Sequence, residues 1–566
     1  MVFNPTIRRV YGSGPTHIAV SNFANRLYSR GGAVVDRANA GRKEHHFRVR
    51  RPLVVRGYLM AHEVQAFINV LKYGTADSSA APRRQFKAAS RWQLALSPTN
   101  WLLAVVRSKS LLASPDRDAV KSLHQDDSPR LFELQAELDG EEFPQRLGQL
   151  ARGEISWLDY TQGTMVQADE IQDLLVRVVK AADVVLTTPA GSCNKPFLEW
   201  KNRARGIAVD EAGCMQRADL CSVWGNTLVP LFAAGDIKQL PPAVMELTTK
   251  DPEGRFFNRF ALGSKVSALA FLQGSGLPVY RLRVQLRMCN DMFGLARKHV
   301  YTDLNVEYGP SCDPGLEHHA FGRAFEEYLI KVRQFKDLEP AKSGTLEPVW
   351  MHTPKTYTFL VGTSKLNRLQ VKMTLDLLAD FVKRMKVNAA DIVVIAPYKA
   401  NVEYGNRQLR KYPALANMLP LQTADSFQGC EGKMAVVIFG TTGQSVGFTG
   451  DENRLNVMVT RQQCALLLVG DKKVTGELTG KKATLDKLMK QATRGIADYG
   501  AEGQATFSKA AMLREVLLTF QERGRFFEVS PAAGDEDEED DEELPVAGGE
   551  DDEELPAADG EEEDEE

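Results

Sequence analysis

The sequence predicts an α/β protein built on two parallel-sheet domains, and three observations carry that expectation. The first is a set of short apolar runs rich in β-branched residues: ADVVLTTPAG (182–191), ARGIAVDEAG (204–213), LVPLFAAGD (228–236), DIVVIAPYKA (391–400), MAVVIFGTT (434–442) and CALLLVGD (464–471). Runs that are continuously apolar suit strands buried on both faces, as in a parallel sheet. The second is the longer helical stretches that separate the runs, such as KLNRLQVKMTLDLLADFVKRM (365–385), which supply crossover helices. The third is their grouping before about 240 and after about 355 with a helical segment between, the pattern of two sheets.

A chain of 566 residues can bury two or three cores. No apolar run approaches the roughly 18 residues that a membrane-spanning helix needs, so no membrane partner is expected. The start, MVFNPTIRRV, lacks the apolar centre of a secretory signal, which predicts an intracellular protein, nuclear or cytoplasmic. Seven Cys stand singly with no CxxC pair, so neither a zinc knuckle nor a disulfide framework is signalled. The net charge of -4 hides two opposed parts. Residues 531–566 hold 21 of the 74 acidic residues and no Lys or Arg, leaving a body of 70 basic against 53 acidic side chains. A basic body suits a phosphate-rich polymer.

The first strand is expected in IRRVYGSGPTHIAVSNF (7–23), which has the outline of strand, glycine turn and helix start. Residues 31–165 read as a mostly helical insertion, with the basic run GRKEHHFRVRRPLVVR (41–56) as a solvated face or a nuclear signal. A second sheet domain over 273–475 follows a first over 1–272, with a helical extension over 476–530. The tail 531–566 repeats DEELP and has almost nothing to bury, which predicts disorder. Its acids serve solubility or meet a basic protein partner.

The chemistry begins at GIAVDEAG, which puts Asp210 and Glu211 at the carboxyl end of a strand, the edge where parallel sheets bind ligands. In a nucleotide hydrolase Asp210 can hold the Mg²⁺ shell while Glu211 orients and deprotonates the attacking water. An acidic pair that merely opens a helix is the alternative. The next run, LFAAGDIKQLPP, places Gly235, Asp236 and Gln239 at a second strand end, where an amide side chain can sense a γ-phosphate or its water.

These segments resemble those of superfamily 1 helicases, in particular the branch of the up-frameshift RNA helicase and its DNA-acting relatives. The resemblance continues in RLRVQLRMCNDM (281–292), VVIAPYKANV (393–402), LQTADSFQGCEGKMAVVIF (421–439) and NRLNVMVTRQQCALLLVGD (453–471). It implies two RecA-like P-loop NTPase domains, the first incomplete, that hydrolyse ATP with Mg²⁺ and move along single-stranded RNA or DNA, with 5′ to 3′ polarity, as a monomer. It implies Arg287 and Arg461 as stabilisers of the transferring phosphoryl group, beside Glu211 and Gln239 in catalysis. Asp210, Asp236, Gln285, Glu431 and Arg454 would attend the nucleotide, with Asp210 holding Mg²⁺ through water. Thr423 and Ser426 would face nucleic-acid phosphates; a plain Ser/Thr cap is the alternative for both. Leu286 stands where the family has a Tyr stacked on the base, which alters base contact.

The family's first motif, G-x-x-x-x-G-K-[ST], is matched by no string in the sequence; VGTSK (361–365), LGSKVS (262–267) and GELTGKK (476–482) all miss its spacing or residues. The opening stretch instead resembles the family's second block, A-P-T-H-x-A-V-D-N, which puts Thr16, His17 and Asn22 near the nucleic acid. Two expectations follow: a start that lies upstream of Met1 in an active ATPase, or a catalytically inactive helicase fold kept for nucleic-acid binding or scaffolding.

Overall fold

The computed structural model describes residues 1–42, 48–74, 80–82, 92–112, 129–162, 167–225, 227–245, 249–442, 446–476, 478–480, 496–499 and 505–531. The acidic tail, expected to be disordered, lies outside the described residues from 532 onward. The chain divides into two compact units, Met1–Tyr280 and Arg281–Glu566.

The first unit holds a five-stranded parallel sheet in the order Val54–Arg56, Val184–Thr187, Val10–Ser13, Gly206–Val209, Leu231–Ala233. Val10–Ser13 is central, and its last residue is level with Thr187 on one side and Val209 on the other. The turns that follow these strands therefore leave the sheet along one edge. Every residue from Val184 to Leu186 is fully buried, as the continuous apolar run requires. The helix Ala168–Ala181 buries Ile171, Leu174, Leu175, Val178 and Val179, spaced three and four apart so that they share one face, and packs against the helices Met60–Tyr73 and Pro98–Val105. Each such buried side chain contributes about 1.5–3 kcal/mol relative to exposure.

The expected helical segment 31–165 differs in one respect. Val54–Arg56 is a strand paired with Val184–Leu186, so the sheet passes through this segment. At the other edge Leu231–Ala233 is less covered, with Phe232 60% exposed.

The second unit is built on a six-stranded parallel sheet in the order Gln422–Thr423, Ile392–Ala396, Gly432–Ile438, Gln462–Gly470, Val349–His352, Phe526–Glu528. Its central strands are buried throughout Met434–Ile438 and Cys464–Val469. The helix Arg368–Met385 begins on Asn367, whose side chain accepts the Gln370 N–H. The segment 476–530, expected as a helical extension, contributes the helix Ala511–Glu522 and the strand that completes this sheet. Arg525 fastens that strand: it is 1% exposed, pairs with Glu326 at 2.6 Å and donates to the Glu347 carbonyl. Among the described residues no helix is long and apolar enough to cross a membrane.

Candidate functional site

In the first unit, Asp210 directly follows the strand Gly206–Val209, with its N–H on the Ser13 carbonyl at 2.9 Å. Its carboxylate accepts the Glu211 N–H at 3.0 Å. Burial pushes the Asp210 carboxyl above the ordinary Asp range, opposed by that N–H and by Arg26. Glu211 sits at φ 54, a left-handed conformation that costs a non-glycine residue about 1–3 kcal/mol and is concentrated at working sites. The turn after it packs backbone to backbone against the next strand end. Ala212 N–H reaches the Ala234 carbonyl at 2.8 Å, a Cβ on Gly213 would strike the Asp236 carbonyl, and one on Gly235 would strike the amides of Ala212 and Gly213. Glycine at both positions is what lets the two turns touch.

Asp236 organises the second of these turns by accepting the Lys238 N–H at 2.9 Å, and its other oxygen lies 3.4 Å from the Gln239 amide nitrogen. The structure thus brings Asp210, Glu211, Asp236 and Gln239 to one stretch of sheet edge, with Asp236 holding Gln239.

The opening segment forms the strand, turn and helix that its sequence outlines. Thr16 caps the helix His17–Asn39 by accepting the Ala19 N–H at 3.1 Å, so its hydroxyl has a structural duty, and its side chain remains exposed. His17 and Asn22 are half-buried on the first turns of that helix. Beside them is a residue that the motifs did not flag, Arg56, which is 1% exposed and bonded to His17. The only sequence signal for it is a charged residue closing the apolar run LVVR.

In the second unit Gln285 positions rather than projects: its side-chain oxygen accepts the Arg287 N–H at 2.9 Å and the Met288 N–H at 3.2 Å. Arg287, about one-third exposed, meets Glu431 at 3.3 Å and the Thr460 carbonyl at 2.7 Å. Glu431 also accepts from the Gln463 amide at 3.2 Å. Arg461 is turned inward: the residue is 2% exposed, and its guanidinium donates to the Val457 carbonyl at 3.0 Å and to Thr460 Oγ1 at 3.0 Å. Meeting a phosphate requires a rotamer change at Arg461. Leu286 is 62% exposed and points away from the core, open to a flat apolar partner.

Thr423 ends the strand Gln422–Thr423 and Ser426 lies on the turn after it, their hydroxyls 2.9 Å apart. Thr423 Oγ1 also accepts the Ser426 N–H at 3.2 Å, so it caps a turn and not a helix. Arg454 belongs to this group and not to the Arg287 cluster. It pairs with Asp425 at 3.3 Å and lies 4.5 Å over the ring of Phe448, which is 48% exposed.

The family model described as an AAA domain matches residues 265–473. Among curated relatives, an NFX1-type zinc finger-containing protein 1 homolog of Caenorhabditis elegans is 28% identical over 309 residues, 50% of this chain and 11% of that protein. A probable helicase of Dictyostelium discoideum is 26% identical over 330 residues, 55% of this chain and 29% of its own length. A regulator of nonsense transcripts 1 homolog of Neurospora crassa is 27% identical over 312 residues, 52% and 25% of the two chains. The chain therefore spans between about a tenth and three tenths of the length of these relatives. Over residues 265–473 the chain is thus similar to that AAA domain family, and the relatives it resembles include a probable helicase and a regulator of nonsense transcripts.

Proposed function

We propose that this chain works as an ATP-driven translocase on single-stranded nucleic acid, with 5′ to 3′ polarity. The observation that carries the reading is the sheet edge where the Asp210–Gly213 turn is pressed against the Ala234–Gln239 turn with Glu211 held at φ 54. A carboxylate carried on such a turn, on the same sheet edge as an amide side chain, suits the work of orienting and deprotonating a water for attack on a phosphoryl group.

The residues present fit a magnesium nucleotide. Mg²⁺ keeps most of its waters and takes one or two carboxylates rather than a protein cage. The desolvated Asp210 carboxylate supplies one such ligand through water, and desolvation favours a cation beside it. When bound, the ion draws charge from the phosphate oxygens. Arg287 would release Glu431 for a more highly charged phosphate, Arg461 would turn outward for the same purpose, and Leu286 would cover a base. Thr423, Ser426, Thr16, His17 and Asn22 would meet nucleic acid, and the acidic tail would meet a basic protein.

The test is ATP hydrolysis with and without single-stranded RNA or DNA, repeated for Glu211→Gln. Hydrolysis stimulated by one of the polymers and lost in the variant is expected; hydrolysis that survives the substitution overturns the assignment. A second reading is a helicase fold that binds without hydrolysis. Binding with no hydrolysis under any condition would establish it.

A further inference from the structure

Between the Asp236–Gln239 turn and the helix Ala268–Gly274 the first unit makes an excursion that carries large apolar side chains into solvent. Its return is fixed to the candidate site, because the Ala268 N–H donates to the Met215 carbonyl at 2.8 Å and the Leu269 N–H to the Ala212 carbonyl at 3.1 Å. Met245 is 72% exposed, Phe257 72% and Phe260 79%. With Asn258 and Arg259 these three line an open cleft of about 390 Å³, within the size range of small-ligand sites. The backbone holds them there. Lys250 and Phe256 form an antiparallel bridge, the Phe257 N–H donates to the Thr249 carbonyl at 2.9 Å, and Asn258 donates to the Met245 carbonyl while accepting the Phe260 N–H.

Single exposed apolar side chains are ordinary, whereas a contiguous group marks a surface that a partner covers. Charge says which kind of partner. Lys250 Nζ lies 4.9 Å over the ring of Phe256, and the Arg217 guanidinium lies 5.5 Å over Phe271 while donating to the Gly263 carbonyl at 2.9 Å. Arg259 stands between Phe257 and Phe260 in the chain and shares their cleft. The acids of the preceding turn, Asp251 and Glu253, are both taken by Arg255. Among the described residues, Arg259 and Lys265 pair with no acid. A neutral apolar protein surface would leave these two cations unanswered. A single strand answers both features at once, since bases stack on aromatic rings and phosphates meet cations.

We propose that Phe257 and Phe260, with Arg259 and Lys265, form an accessory contact for single-stranded nucleic acid on the first unit, in which bases stack on the two rings and neighbouring phosphates meet the two cations. The proposal rests on the reading above that the chain works on such a strand. It adds a surface that none of the motif residues occupies.

The test is affinity of the full chain for labelled oligo(U), oligo(dT) and an abasic deoxyribose-phosphate oligomer of equal length, followed by fluorescence anisotropy. Phe257→Ala combined with Phe260→Ala should weaken both base-bearing polymers about fivefold or more, the worth of one stacked base, and leave the abasic oligomer within about twofold. Arg259→Ala combined with Lys265→Ala should weaken all three and lower the salt dependence by a slope of about 0.7 for each phosphate lost. Ultraviolet cross-linking of oligo(U) carrying 5-iodouracil to the unmodified protein should label Phe257 or Phe260. Absence of label there overturns the proposal, and that measurement decides even where the double phenylalanine variant fails to fold. Unchanged affinity in the folded variant overturns it and leaves the rings to a protein partner; an equal loss for the abasic oligomer overturns the stacking. An unmodified protein that binds none of the three overturns the translocase reading as well, whereas binding that ignores the two rings strikes this proposal alone.

Discussion

The two units present opposite charges at their candidate sites and hold them in opposite ways: the acids of the first follow its strands, whereas Glu431, Thr460 and Arg461 of the second precede the strands Gly432–Ile438 and Gln462–Gly470. In the first unit the key side chains are acids whose places are set by the backbone: Asp210 takes the Glu211 N–H, Asp236 takes the Lys238 N–H, and Glu211 rides on a left-handed turn. In the second they are arginines tied to carboxylates and carbonyls, Arg287 to Glu431 and Thr460, Arg454 to Asp425, Arg461 to Val457. An arginine that is to wait for a phosphate needs a weaker acceptor that it can leave. One site is thus built by shape and the other by provisional neutralisation.

The sharpest way to break this contrast is to remove a charge from each side. Glu211→Gln should leave the fold intact and lower the maximal hydrolysis rate by about 10²- to 10⁴-fold, the usual worth of a positioned base. Glu431→Gln removes the charge that Arg287 meets at rest and should cost about tenfold or less. Steady-state ATPase assays check both, and equal losses would sink the distinction.

Stability offers the next comparison. The second sheet is closed by Phe526–Glu528, and Arg525 anchors that strand through a bidentate contact with Glu326. Arg525→Met leaves a partly buried carboxylate unpaired and should destabilise the second unit by about 3 kcal/mol. Hydrogen exchange should then accelerate in Val349–His352 and its neighbours while Val184–Thr187 in the first unit is unchanged.

Much of this was legible in the sequence, and what escaped shares a cause. The runs at 184–187, 206–209, 392–396 and 434–438 are strands, short, rich in β-branched residues and as continuously apolar as a sheet buried on both faces requires. Asp210 and Glu211 could be placed because they follow one of those runs. Val54–Arg56 and Phe526–Glu528 escaped because three-residue strands carry little periodicity and gain their identity from distant partners, at 184–186 and 350–352. The contact of Arg56 with His17 spans 39 positions, and that of Arg287 with Glu431 spans 144. A motif supplies the residue type at such places; only the fold supplies the partner.

A third effect belongs to the first unit alone. Glu63 is fully buried, accepts the Tyr58 N–H and the Thr99 N–H, and its carboxyl is pushed up to about 7 by burial, against the pull of Thr99, Tyr58 and Arg56. The folded state therefore holds a proton that the unfolded chain releases near pH 4.5. Between that value and about 7 the native form binds more protons than the unfolded one, so stability falls as pH rises through this window and levels off above it. The fall is about 3 kcal/mol on the usual conversion. Urea unfolding across the window should show it for the first unit, and Glu63→Gln should flatten the curve.

The smallest effect tests where Arg454 belongs. The motif resemblance puts it with the nucleotide, whereas its contacts are Asp425, Asp451 and the exposed ring of Phe448, beside the hydroxyls of Thr423 and Ser426. If those contacts define its work, Arg454→Ala should weaken single-stranded nucleic-acid binding by a few fold to about tenfold and lower the salt dependence by roughly one phosphate's worth, a slope change of about 0.7. The KM for ATP should stay within about twofold, since the Arg287–Glu431 pair is untouched. A raised KM with unchanged nucleic-acid affinity would return Arg454 to the nucleotide. The second sheet's arginines would then act as one group and not, as their partners imply, as two.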